Sequence, residues 1–269
     1  MELKRIAGLG RELAGFLRPF ADCFGRQEPR SLLNAYVRGQ LSSCQRKSVE
    51  PMAIATGTAP RTLQAFLESV NWDEEKLVDR CQGIVASKHA DPRAIGLIDE
   101  SGVPKSGTDT VGVARQWCGR TGKIDNCVVA VHAGYATEGF HCLLDSDVYL
   151  PEDWANDPER RQKACVPEEV AFRTKPQIAQ GQIARALQNG IRVAAWTFDE
   201  LYGRDSKFLD FVEREKKQHF VAEVPRSFHG WVRTPQALRQ APPNARQGGG
   251  RNKKYPRPAR KSPPCGGHN

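Results

Sequence analysis

The strongest constraint on this chain is the stretch 94–139, which opens Ala94-Ile-Gly-Leu-Ile-Asp-Glu-Ser-Gly-Val-Pro-Lys-Ser-Gly. Ile95, Leu97 and Ile98 form an apolar run with the length of a buried strand rather than of a helix. It predicts a strand that delivers Asp99 and Glu100 to an open end. Residues 102–108 read as a turn, because Gly, Pro, Lys and Ser crowd there, and 111–117 as a returning strand. After a second turn at Gly119-Arg-Thr-Gly-Lys, residues 127–133 make a third strand. Three consecutive strands with tight turns predict an antiparallel meander that carries an acid at the end of its first member. Carboxylates at strand ends also cap turns, so Asp99 taken alone has two readings.

The region before this stretch, 1–90, reads as helical. Leu3, Ile6, Leu9, Leu13, Phe16 and Leu17 recur at helical spacing, and Pro19 ends the run. Within 46–69, Ser48 is an N-cap with Pro51 in the first turn, Gly57 stops that helix, and Thr58 caps the next, with Pro60 near its start. Two short helices around a Gly-containing turn form a helix-turn-helix pattern, whose second helix presents Arg61 and Gln64 to a major groove. Helical hairpins of this kind also occur in proteins that never touch DNA. Trp72 and Leu77 are expected to pack the following helix onto the bundle.

After the stretch 94–139 come a strand near 139–150, a polar excursion over 151–161 and a helix over 172–190. An apolar strand over 191–198 then ends on Asp199-Glu-Leu-Tyr-Gly203, repeating the theme of a buried strand that ends in an acid and a Gly turn. An amphipathic helix over 206–216 and a strand over 219–224 follow. Helices between strands demand parallel crossovers, so the expected fold is a mixed α/β sheet over 91–234.

Composition narrows the function less than it first suggests. The net charge of +9 looks like a nucleic-acid signature. From Pro225 onward, however, there are seven Arg, three Lys and no acid, and the other 224 residues stand within one charge of neutral. The basicity belongs to the tail and says nothing about DNA binding by the body. In 235–269, seven Pro, five Gly, five Arg and four Ala leave Leu238 as the only larger aliphatic residue, a composition expected to stay disordered. The ten positive charges from Pro225 onward would hold DNA non-specifically, or the tail is a passive product of truncation, the reading we favour. Eight cysteines without a Cys-x-x-Cys pair argue against a zinc site or a disulfide scaffold. No run approaches the ~20 apolar residues of a membrane span, and the N-terminus is no signal peptide, so a cytoplasmic protein is expected.

Two aspartates at the ends of neighbouring buried strands can share a divalent cation, since carboxylates are the ligands Mg²⁺ prefers. Paired ions would serve in-line phosphoryl transfer, and such a site needs a third carboxylate. The sequence resembles the bacterial insertion-sequence transposases that use an Asp-Asp-Glu triad on a ribonuclease-H-like fold. The resemblance covers about residues 28–232. It rests on Ile98-Asp-Glu-Ser-Gly-Val-Pro-Lys-Ser-Gly107 with Val111-Gly-Val-Ala-Arg-Gln-Trp-Cys-Gly119, on Gly122-Lys-Ile-Asp-Asn-Cys-Val-Val-Ala-Val131, and on Phe198-Asp-Glu-Leu-Tyr-Gly203.

The resemblance implies that Asp99 and Asp199 are the first two catalytic acids and hold Mg²⁺ or Mn²⁺. It also implies that the N-terminal helices bind double-stranded DNA at element ends. Lys105, Arg115 and Gln116 are candidates for phosphate contacts beside the site, or else ordinary solvated residues. The family's third acid, a glutamate on a helix well beyond the fifth strand, has no counterpart. Glu213, Glu215 and Glu223 do not match its position, so the third acid is unknown. We read the chain as a truncated transposase whose frame is lost near Thr234, with DNA binding alone as the alternative and a homodimer left open. A non-DNA hydrolase finds no support, as no Gly-x-Ser-x-Gly elbow or Cys/His pairing occurs.

Overall fold

The computed structural model describes residues 3–229, 236–238 and 257–258. Five helices come first: α1 (Leu3–Leu17), α2 (Gln27–Leu41), α3 (Val49–Thr56), α4 (Pro60–Ser69) and α5 (Glu74–Lys88). As expected, α1 stops before Pro19, which opens a 3₁₀ turn, Arg18–Cys23. Gly57 ends α3 with a left-handed φ of 70°, a conformation open to glycine at little cost. The cap of α4 differs from expectation. Ala59 occupies that position, while the Thr58 hydroxyl bonds Thr56. Pro60 accounts for the shift, because a proline fits the first helical position and holds the preceding residue extended. Cys23, Phe24, Met52, Ala53, Leu63 and Phe66 form the bundle core, and Trp72 and Leu77 pack against it as expected.

Then follow β1 (Ile95–Pro104), β2 (Ala114–Cys118), β3 (Lys123–Ala136), β4 (His141–Val148), α6 (Glu152–Ala155), α7 (Pro158–Lys163) and α8 (Lys175–Gln188). Beyond them lie β5 (Ala195–Phe198), α9 (Glu200–Gly203), α10 (Ser206–Asp210), a π turn Phe211–Glu215 and β6 (Phe220–Ala222). Among the described residues the main sheet has the order β2-β3-β1-β5-β6, with β4 also on β3. β2 and β4 pair antiparallel with β3, whereas β5 and β6 pair parallel. The expected mixed α/β sheet with a helical N-terminal region is therefore present.

The antiparallel part is wired differently from three strands paired in chain order. β2 does not lie between β1 and β3, because β3 is fourteen residues long and sits at the centre. Its first part pairs with β2 (Ala114↔Cys127 to Cys118↔Lys123) and its second with β4 (Ala130↔Val148 to Ala136↔His141). β1 also runs further than expected, through the segment assigned to a turn, so Asp99 and Glu100 lie within the strand and not at its end. Gly102 makes this continuation possible, since a Cβ there would stand 2.9 Å from Cys118 Sγ. The turn begins at Lys105, and β2 starts only at Ala114, after Gly112 at φ 76°.

The chain divides into two compact units. In the unit of Met1–Gly96, Ala130–Val148 and Gly181–Ala194, a polar network joins α5, α8 and β4. Arg185 Nε meets Asp79 Oδ1 at 2.7 Å, Asn189 Nδ2 donates to Asp79 and Gln82, and Gln82 donates to Leu144 O. The hydrogen bond from Arg185 holds the Asp79 carboxyl below its ordinary range. Burial pushes Asp145 up although Arg185 also faces it.

In the unit of Leu97–Val129, Tyr149–Gln180 and Ala195–Asn269, the excursion expected to be merely polar forms α6 and α7. They carry Trp154, buried against Val113 and Leu150, with its indole N–H donated to Val113 O at 2.7 Å. An aromatic cluster of Phe198, Tyr202, Phe208 and Phe220 packs α9 and α10 onto β5 and β6. In the tail expected to be disordered, β7 (Ala237–Leu238) and β8 (Arg257–Pro258) form a two-residue antiparallel ladder. The rest of that segment lies outside the described residues. The seven cysteines among the described residues are free thiols.

Gly203 is where α9 meets β6, and a Cβ there would lie 1.9 Å from the Glu223 carbonyl oxygen. Gly203→Ala is expected to lower stability by about 2–3 kcal/mol, seen as a lower urea midpoint at unchanged slope. An unchanged midpoint would show that this approach is looser than described.

Candidate active site

The site is assembled from two strands that start together. Ala194 N donates to Ala94 O at 2.7 Å, just before β5 and β1 begin, and the two strands are neighbours in the sheet. Strands that begin side by side run in the same direction, and Asp99 and Asp199 each stand five residues further along. Along β1 the side chains alternate. Ile98 and Gly102 are buried, Leu97, Asp99 and Ser101 are exposed, and Glu100 faces the half-buried side.

Each aspartate has a local hydrogen bond. Asp99 Oδ1 accepts from the Glu100 N–H at 2.7 Å. Asp199 follows β5 as the N-cap of α9, its Oδ1 accepting from the Leu201 N–H at 3.0 Å. The capping role that strand-end carboxylates commonly play is thus realised at Asp199. The cap occupies one oxygen of an exposed carboxylate.

Behind them sits a group that sequence reasoning did not assemble. Glu100 and Lys175, each with a side chain only 14% exposed, form an ion pair at 2.6 Å. The Tyr202 hydroxyl donates to the other Glu100 oxygen at 3.4 Å, and Tyr202 itself is fully buried. Burial is the main cause raising the Tyr202 phenol far above the ordinary tyrosine value, and the charges of Glu100, Asp199 and Asp99 add to it. One phenol therefore feels all three carboxylates. Lys175 opens α8, where Thr174 N donates to Gln177 Oε1 and Gln177 N to Thr174 Oγ1. This reciprocal cap is written in the sequence as Thr174-x-x-Gln177, and it explains why the helix begins at Lys175 instead of near 172.

The remaining candidates fall at separate places. Arg61 and Gln64 are exposed on α4, on the side away from the buried Leu63 and Phe66. Lys105 is exposed just after β1, and Arg115 is exposed on β2. Gln116 donates its amide protons to Gly112 O and Cys127 O, which staples β2 to β3 and occupies its donors. Glu213, Glu215 and Glu223 are exposed. Among the described residues no group of three or more His, Cys, Asp and Glu side chains is gathered in metal-binding fashion.

Asp99 and Asp199 are hard oxygen donors on the exposed side of one strand pair, a chemistry that fits a small divalent cation. If such an ion bound there, they would supply two carboxylates, and its remaining positions would be left to water or phosphate oxygens.

A phosphoryl-transfer chemistry of this type agrees with the family comparison. The profile of the DDE superfamily endonucleases matches residues 19–266, and the chain belongs to that family. Over 198 residues it is also 28% identical to a probable transposase for insertion sequence element IS701 from Microchaete diplosiphon. That alignment covers 70% of this chain and 49% of the relative, so the chain spans about half the length of the curated relative it matches. The family implied by the motifs is the one found. The profile match runs through the Pro/Arg-rich segment to residue 266, past the point near Thr234 where the sequence reading placed a loss of frame.

An unfolded tyrosine ionises near pH 10. Since the folded value of Tyr202 is raised, its contribution to stability is complete below that pH and is lost as pH rises toward the folded value. Tyr202→Phe is expected to be less stable by about 1 kcal/mol at pH 8, having lost the bond to Glu100. Above pH 10 the gap should close, by at most ~1.4 kcal/mol per pH unit, in urea titrations at stepped pH. Parallel curves for the two proteins would mean that the phenol is not held as described.

Proposed function

We propose that this chain acts as the transposase of an insertion sequence, with Asp99 and Asp199 as the carboxylates that hold Mg²⁺ or Mn²⁺ at the DNA strand to be cut. The observation that carries this reading is the pair of strands β1 and β5, which start side by side and present an aspartate at the same step. In this reading Asp99 and Asp199 orient the ion and keep its protein-facing side anionic. Glu100, Lys175 and Tyr202 fix the strand and helix from which those carboxylates project. When bound, the ion supplies Lewis-acid activation for the attack of water, and then of a DNA hydroxyl, on a phosphodiester.

The three-part organisation goes with this reading: 1–90 for duplex recognition with 46–69 as its reading hairpin, 91–234 for the catalytic core, and 235–269 as a basic extension. Arg61 and Gln64 would face the major groove, and Lys105 and Arg115 the phosphates. Gln116 retains only its carbonyl oxygen for such a contact. The partner is double-stranded DNA, a homodimer remains open, and the compartment is the cytoplasm. A second reading, a remnant that occupies element ends without cutting them, is favoured by one observation. Among the described residues no third acid joins the pair.

The test combines Mn²⁺ titration calorimetry with cleavage of a duplex that carries the element's own ends. Wild type should bind Mn²⁺, and Asp99→Ala and Asp199→Ala should each weaken binding about 10–100-fold. Cleavage lost in both variants and on EDTA treatment supports the enzyme. Duplex binding without cleavage selects the remnant. Mn²⁺ binding indifferent to both substitutions removes the site.

A further inference from the structure

Two cations that follow Asp199 in the chain, Arg204 and Lys207, take part in no ion pair among the described residues. In the unit that holds the site, Arg160 donates to Thr108 O and covers the Trp154 ring, Arg161 is held by backbone carbonyls such as Pro167 O and Val170 O, and Arg214 meets Asp210. Arg204 and Lys207 are exposed and have no ion pair among the described residues. Asp205 lies between them and also lines the cleft described next; its Oδ1 caps α10 by accepting from the Lys207 and Phe208 N–H groups, and it forms no ion pair with either cation.

Both cations stand on the lip of an open cleft of about 670 Å³, whose other walls include Tyr149, Lys175, Pro176 and Leu201. The cleft starts beside the two-aspartate pair, since Leu201 is the residue whose N–H Asp199 accepts. Its contents are chemically mixed. Tyr149 supplies an aromatic ring, set edge-on to Phe172, with the Lys175 ammonium 5.6 Å from its centre. Pro176 and Leu201 supply apolar surface. The charges of Glu152 and Asp153 act on the Tyr149 phenol, so the positive side of the cleft is its α9–α10 end.

We infer that this cleft receives a nucleotide of an unpaired DNA strand, its base against Tyr149 and its phosphate on Arg204 and Lys207. An aromatic face flanked by free cations is the combination that holds single-stranded nucleic acid, because every base has a π face and every step carries a phosphate. A lone inorganic anion has no use for the ring and the apolar wall, and an acidic peptide offers no flat group to the ring. The cleft begins beside Asp199, which follows β5 and caps α9. The assignment rests on the DNA-cleaving reading above.

The test uses the full chain and a bromodeoxyuridine-containing single-stranded oligonucleotide, photo-crosslinked and mapped by mass spectrometry. A crosslink on the Tyr149 peptide is expected. Its yield should fall about tenfold in the double variant Arg204→Ala/Lys207→Ala, whose exposed positions leave the fold intact by circular dichroism. Duplex binding and Mn²⁺ affinity should not change in that variant. Crosslinks confined to other segments, or a Tyr149 yield insensitive to the double variant, overturn the inference and leave the transposase reading standing. Competition by free thymidine monophosphate at the strand's own concentration would reassign the cleft to a mononucleotide. A wild-type chain that binds neither duplex nor single strand removes the DNA reading and the cleft together.

Discussion

A carboxylate on a half-buried strand face has to be neutralised, and the partner of Glu100 comes from a helix that begins 71 residues after its strand ends. Most of what positions the site follows from that requirement. Lys175 can reach Glu100 only because Thr174 and Gln177 start α8 where they do, and Tyr202 can complete the second oxygen only because Gly203 lets α9 lie against β6. The ion pair is no simple source of stability, since desolvating two charges costs much of what their attraction returns. Its effect is specificity: other placements of α8 or α9 would leave a charge inside without a partner.

The two aspartates, by contrast, stay on the wet side and remain chemically available. Alternation along β1 makes this possible, because it sends Asp99 and Glu100, adjacent in sequence, to opposite faces. One acid is half-buried and ion-paired, the other exposed. Asp199 adds a local task, since its cap of α9 fixes where the carboxylate sits.

The sequence was informative where the signals are local. Helices α1 to α5, the stop at Gly57, the strands that carry Asp99 and Asp199 and the mixed character of the sheet follow from periodicity and turn chemistry. Strand order did not, because which strand sits centrally depends on length, and the apolar run at 127–133 gives no sign that β3 extends to fourteen residues. The continuation of β1 through Ser101-Gly102-Val103 was hidden by a glycine that reads as a turn residue and serves here as a point of close approach. The Glu100–Lys175–Tyr202 group joins residues up to 102 positions apart, beyond any spacing rule. One part was legible and overlooked: the Thr174-x-x-Gln177 cap is an ordinary sequence signature, and it marks where Lys175 enters.

The pairing pattern also dictates an order of events in folding. The ladders of β3 with β2 and with β4 are hairpins in which partners lie close in sequence, Cys118 with Lys123 in one and Ala136 with His141 in the other. The contact that opens the β1–β5 alignment joins Ala94 to Ala194, across a loop of a hundred residues. Closing such a loop costs entropy that no local contact offsets in advance, so this alignment forms after the hairpins. That alignment is the one that places Asp99 and Asp199 five residues beyond its opening contact on each strand. A chain paired only locally would hold the two β3 hairpins without the alignment that sets Asp99 and Asp199 at the same step, so loop closure and assembly of the candidate site are one event.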